Sequence, residues 1–158
     1  MDAMIVQLVA RLEKNPQDAK GWIMLARAQA VLGRLDAAIL TYANSVALFP
    51  NDAQLLADYA DALAMANDGR LSGEPEQVVA RALRADPDNA KALALAGTVA
   101  FDKQDFALAI KHWERLRNSI PADSEFAKSI EASIDEAKSL SLAGSSTYPS
   151  RADSTKIR

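Results

Sequence analysis

The chain has 158 residues, enough for one core, with a net charge of −3, no cysteine and a single histidine. This excludes disulfides, thiolate nucleophiles and Cys-based metal sites, and His112 alone cannot build a histidine cluster. It also lacks the clustered basic surface that nucleic acid requires and the roughly 18-residue apolar run that spans a bilayer, and no signal peptide is expected in the opening residues, where Arg11 cuts the apolar stretch short.

Nearly half the residues are apolar but only 6% are aromatic. Ala and Leu dominate the apolar set, which suits closely packed helices better than sheets. Prolines fall at Pro16, Pro50, Pro87 and Pro121, at intervals of 34, 37 and 34 residues. Each is followed by a short polar step: Pro16-Gln17-Asp18-Ala19, Pro50-Asn51-Asp52-Ala53, Pro87-Asp88-Asn89-Ala90 and Pro121-Ala122-Asp123-Ser124. Proline stops a helix, and Asp18, Asp52, Asn89 and Asp123 are strong N-caps whose side-chain oxygens accept first-turn amides. Helices are therefore expected to begin near residues 19, 53, 90 and 124.

In chain order, residues 3–16 read as half a repeat, because Leu8 stands 34 residues before Tyr42. The first full unit, 19–52, carries Trp22, Leu25, Ala26, Gly33, Ala38, Tyr42 and Pro50, with a break at Gly33-Arg34-Leu35-Asp36 that makes it a helix-turn-helix. The second, 53–89, keeps Leu56, Tyr59, Ala60, Ala82 and Pro87. Its turn, Asn67 to Pro75, holds three extra residues, and Ser72 or Gly73 is expected to cap a helix with Pro75 in its first turn. The third, 90–123, repeats the first with Leu93, Ala96, Gly97, Phe106, Ala109, Trp113 and Pro121. Residues 124–143 form an amphipathic end helix with Phe126, Ile130, Ile134, Ala137 and Leu140 on one stripe. From Gly144 the composition turns to Gly, Ser, Thr and Pro, which reads as a disordered tail over 144–158.

These positions resemble the tetratricopeptide repeat (TPR) signature, in which small residues let the second helix (B) of each unit approach the first (A). The fold expected is all-α, a right-handed superhelix of about eight antiparallel helices. Trp22 is assigned to packing between the helices of its own repeat, and Trp113 likewise to the core. The A helices of such stacks line a concave groove. Residues two, five, nine, twelve and thirteen of each repeat are expected to face it: Lys20, Ile23, Arg27, Ala30 and Val31; Gln54, Ala57, Asp61, Ala64 and Met65; Lys91, Ala94, Thr98, Phe101 and Asp102. The mixture suits an amphipathic helix or an extended segment. The alternative is that Ile23, Met65 and Phe101 extend the core. Some TPR domains grip a terminal carboxylate with Lys, Asn and Arg, but Asp61 and Thr98 stand where that pattern has Asn, which disfavours such a grip.

No enzymatic constellation emerges from the sequence. Asp58 and Asp61 share a helix face and read as solvated surface, and His112 as a half-exposed surface residue, so neither a catalytic site nor a metal or cofactor is expected. The stretch Leu55-Leu56-Ala57-Asp58-Tyr59-Ala60-Asp61-Ala62-Leu63-Ala64-Met65-Ala66 with Gly69-Arg70-Leu71-Ser72-Gly73-Glu74-Pro75 is similar to the periplasmic TPR domain of bacterial cytochrome c maturation proteins. So is Lys91-Ala92-Leu93-Ala94-Leu95-Ala96-Gly97 followed by Ala109-Ile110-Lys111-His112-Trp113-Glu114-Arg115-Leu116. The resemblance covers roughly residues 4–143. It implies a periplasmic, non-catalytic module that holds apocytochrome c, often by its C-terminal segment, and presents it to a membrane haem lyase. Members commonly carry an N-terminal membrane anchor, so a module of this kind need not touch the membrane itself. The other reading is a generic TPR scaffold that brings proteins together.

Overall fold

The computed structural model describes residues 2–145, which form eight helices and, among those residues, no strand. They are α1 (Asp2–Lys14), α2 (Ala19–Val31), α3 (Leu35–Leu48), α4 (Ala53–Ala66), α5 (Glu74–Ala85), α6 (Ala90–Asp102), α7 (Phe106–Ser119) and α8 (Glu125–Ser145). The expected tail lies outside the described residues, except that Gly144 and Ser145 close α8.

Capping explains the starts. Asp18 accepts from the Gly21 amide at 3.0 Å, Asp52 from Leu55 at 2.9 Å and Asn89 from Ala92 at 2.9 Å, each satisfying an amide that the first turn leaves orphaned. The last cap is one residue later than the spacing predicts. Ser124, not Asp123, accepts from Ala127 at 3.1 Å, because α8 begins at Glu125. In the lengthened turn Gly73 takes the cap position of α5 at φ 85°, a left-handed backbone that favours glycine, and Pro75 is buried in the first helical turn.

The helices pack as antiparallel neighbours: α2 on α3, α4 on α5, α6 on α7, with α1 against α2 and α8 against α7. Consecutive A helices also touch directly, α2 with α4 and α4 with α6, whereas each B helix packs mainly on A helices. The A layer is thus the tighter one, as the inside of a curve must be. α4 is central: it buries eight of its 14 residues, including one carboxylate, Asp58. The main core gathers Leu55, Leu56, Ala57 and Ala60 with Tyr42, Val46, Val78 and Val79. Fully burying each of the larger aliphatics contributes about 1.5–3 kcal/mol.

A second core joins Leu93, Ala109, Trp113 and Leu116 to Ile130, Ile134 and Ala137 of α8. The buried stripe of α8 is Ala127, Ile130, Ile134 and Ala137. Phe126 and Leu140, expected on that stripe, are exposed, since at 100° per residue they fall to one side of the face formed by Ala127, Ile130, Ile134 and Ala137. A third, small core of Leu8, Leu12 and Leu25 lies between α1 and α2. Trp22 belongs there, half-buried with its indole N–H donated to the Pro16 carbonyl at 2.9 Å. It seals the half repeat rather than the interior of its own repeat.

Candidate protein-binding groove

An α-helix turns 100° per residue, so positions 2, 6, 9 and 13 of each A helix fall within about 60° of one another, while positions 5 and 12 lie together to one side. The structure follows that geometry. On α2 the outward stripe is Lys20, Met24, Arg27 and Val31, with Met24 49% and Val31 75% exposed. On α4 it is Gln54, Asp58, Asp61 and Met65, the last 57% exposed, and on α6 it is Lys91, Leu95, Thr98 and Asp102.

Position 6 therefore belongs to this face, and positions 5 and 12 do not. Ile23 and Ala57 are buried in the main core and Ala64 is buried as well. Phe101 is half-buried against Phe106 and Trp113, with ring centroids at 5.4 and 5.8 Å. Of the expected groove residues, Lys20, Arg27, Gln54, Asp61, Met65, Lys91 and Thr98 share the outward stripe. Ile23 and Phe101 are packing residues, because the side of the helix they occupy is covered by neighbouring elements. Met24 is the exposed position that the sequence reading left out; Leu95 shares its register but is half-buried against the main core.

At the centre of the stripe is an ion network that the sequence reading also missed. The Asp58 side chain is only 1% exposed and is not the solvated surface group expected of it. Arg27 of α2 donates to its Oδ2 through Nε at 3.0 Å and Nη2 at 2.5 Å. Lys91 of α6 donates to Oδ1 at 2.8 Å, and Gln54 adds a longer bond at 3.3 Å. Lys91 also reaches Asp61 at 2.7 Å, and Gln54 in turn accepts from the Asn89 cap at 3.2 Å. One carboxylate thus ties three A helices from three repeats.

The electrostatics agree with the geometry. Burial works against the Lys91 ammonium, but hydrogen bonds to Asp58 and Asp61 outweigh it and hold the group above the ordinary lysine range. Behind the network the Tyr42 hydroxyl is pushed well above its usual value, by burial first and by the Asp58 charge next, with Arg27 opposing. The clue in the sequence was available: position 6 is Met24 and Leu95 in the sister repeats, so an acid at that register between Arg27 and Lys91 signals a paired charge.

Clefts also lie on other faces. One of about 240 Å³ runs between α5, α6 and α7 over Val79, Leu83, Ala96, Val99 and Leu108, with His112 at its edge. The imidazole is held below its usual range by burial, and further by Lys111 and Arg115. Another cleft, of about 430 Å³, lies between α3 and α5 over Val46, Tyr59 and Val78. Among the described residues no helix is long and apolar enough to cross a membrane.

Comparison with known proteins agrees on fold and family. The family described as the cytochrome c-type biogenesis protein H TPR domain matches residues 1–127. Cytochrome c-type biogenesis protein CcmH of Escherichia coli (strain K12) is 34% identical over 126 residues, covering 78% of this chain and 35% of that protein. CycH of Bradyrhizobium diazoefficiens is 32% identical over 126 residues, covering 78% and 34%. The chain thus spans about a third of the length of these curated relatives. Among solved structures, the Sgt2 TPR domain from Aspergillus fumigatus superposes with a TM-score of 0.66 at 17% identity over 90% of this chain and 91% of that one, a likeness of fold. On the strength of the family match and these relatives, the chain belongs to the family of TPR domains of cytochrome c-type biogenesis protein H.

Proposed function

We propose that this domain is a non-catalytic, protein-binding module of c-type cytochrome biogenesis. It holds apocytochrome c, by its C-terminal segment, along the A-helix face in the periplasm, for haem attachment by a membrane haem lyase. The family supports the process, and the groove supports the mode. The observation that carries the reading is the outward stripe itself. Met24, Val31 and Met65 present apolar, partly flexible side chains to solvent on either side of a charge-satisfied centre, a surface matched to the apolar face of an incoming helix.

The test separates exposed positions from core ones. Met24→Ala, Val31→Ser and Met65→Ala, combined, should weaken binding of a cytochrome c C-terminal peptide about tenfold, or about 1.4 kcal/mol, while helical circular dichroism and the unfolding midpoint stay near the parent's. Ile23→Ala, by contrast, should lower the midpoint, since it empties a core site. Unchanged peptide affinity in the triple variant would move the site off this face.

A further inference from the structure

We propose that Asp58 is a positioning residue that neutralises the groove's cations from within, so that the client is selected by the apolar face of a helix and not by a carboxylate. This rests on the groove being the client site. It adds what kind of group the groove reads.

TPR grooves look suited to anions when they display Lys and Arg, and this one displays Lys20, Arg27 and Lys91. Yet two of the three are already spent. Arg27 commits Nε and Nη2 to one Asp58 oxygen and also hydrogen-bonds Tyr42. Lys91 is shared between the other Asp58 oxygen and Asp61. Two cations face two acids, so the centre of the stripe carries no net charge.

An incoming carboxylate would meet cations already neutralised by Asp58 and Asp61 at contacts of 2.5–2.8 Å. It would exchange one ion pair for another, lose its own hydration and approach two like charges. Nothing is gained by that exchange. Apolar contact carries no such cost, and Met24, Val31 and Met65 stand exposed at matching registers of the first two repeats. Because Asp58 joins α2, α4 and α6, it also fixes the spacing at which those side chains are presented. Recognition then requires no free chain end, and an internal amphipathic helix serves as well as a terminal one.

The experiment titrates the protein with one synthetic peptide, the C-terminal helix of a c-type cytochrome, prepared as the free acid and as the amide. The two should bind within about twofold of each other, with little change as salt is raised. Amidation that weakens binding about tenfold or more would overturn the proposal while leaving the groove as the client site. Failure of either form to bind would overturn the groove reading, and this proposal with it. Asp58→Asn should create the preference that the parent lacks, with the acid bound about tenfold more tightly than the amide, because Arg27 loses its carboxylate partner and Lys91 keeps only Asp61. Should that variant not fold, Arg27→Gln keeps Asp58 paired with Lys91 and should leave the affinity for both peptides within about twofold of the parent. A larger loss confined to the free acid would show Arg27 gripping the client's carboxylate and would overturn the proposal.

Discussion

Replacing Trp113 with alanine is expected to cost about 3–5 kcal/mol, and adding a single methyl at Gly97 about 1–3 kcal/mol, two effects with one cause. Trp113 is buried where α7 crosses α6, its indole N–H donated to the Ala94 carbonyl at 3.3 Å and its ring beside Phe101. The ring lies so close to α6 that a Cβ on Gly97 would stand 2.1 Å from Nε1 and 2.4 Å from Cδ1. Those separations are impossible, and a ring wedged between two helices cannot retreat as a flexible side chain would.

The two substitutions should therefore be strongly non-additive. Once Trp113 is gone, Gly97→Ala should cost nothing, or recover up to about 1 kcal/mol from the better helix propensity of alanine. Urea unfolding of the parent, both single variants and the double variant measures the cycle. A neutral Gly97→Ala in the parent background would contradict the helix-to-helix approach described for α6 and α7.

The second large effect is expected at the ion network, and it falls on the partners more than on the acid. Arg27→Met together with Lys91→Met should cost about 3 kcal/mol, because the Asp58 carboxylate would remain buried with both cations removed. Arg27 and Lys91 are 52% and 36% exposed, so removing Asp58 leaves charges that water can still reach, and the single Asp58→Asn change should cost less. Adding Asp58→Leu to the double variant should restore most of the stability, since an apolar triad replaces a stranded charge. Thermal unfolding of the parent and the three variants decides it. A double variant as stable as the parent would mean that Asp58 is not sequestered.

Much of this was legible from local signals. The Asp and Asn caps behind each proline and the tolerance of Pro75 behind Gly73 depend on residues close together in sequence, and the helices start close to where those signals put them. The misses, apart from the one-residue shift of a cap, depend on what lies across a helix pair. Ser124 rather than Asp123 caps α8 because the turn after Pro121 closes one residue later. Phe126 is exposed beside a buried Ala127, because the period alone does not reveal which edge of the stripe the partner helix covers. Trp22 faces α1 because the half repeat supplies a partner that the repeat register alone assigns to α3.

The groove shows the same limit more sharply. Composition puts apolar and charged residues on the A helices, but the angle at which consecutive A helices meet decides whether position 5 or position 6 points outward. That angle is set by packing between repeats. Ile23 and Phe101 were therefore expected at the groove, with the core as the alternative, and Met24 and Leu95 were left off its face. Asp58 was read as solvated because an acid beside another acid on a helix usually is. Its burial follows from Arg27 and Lys91, which lie 31 and 33 residues away in sequence and meet it only after three repeats have stacked.

The central claim is that this domain holds an incompletely folded cytochrome, and one titration tests it most directly. Matched apo and haem-bound forms of one c-type cytochrome are titrated calorimetrically against the domain, alongside the isolated C-terminal peptide. Before haem is attached the terminal helix is free; afterwards it docks on its own fold, and a groove must compete with that burial. If the segment is exposed in about 1% of holo molecules, the holo form should bind about a hundredfold more weakly than the apo form, with the peptide close to the apo value. Equal affinity for the two forms, or no binding by either form or by the peptide, would contradict the account.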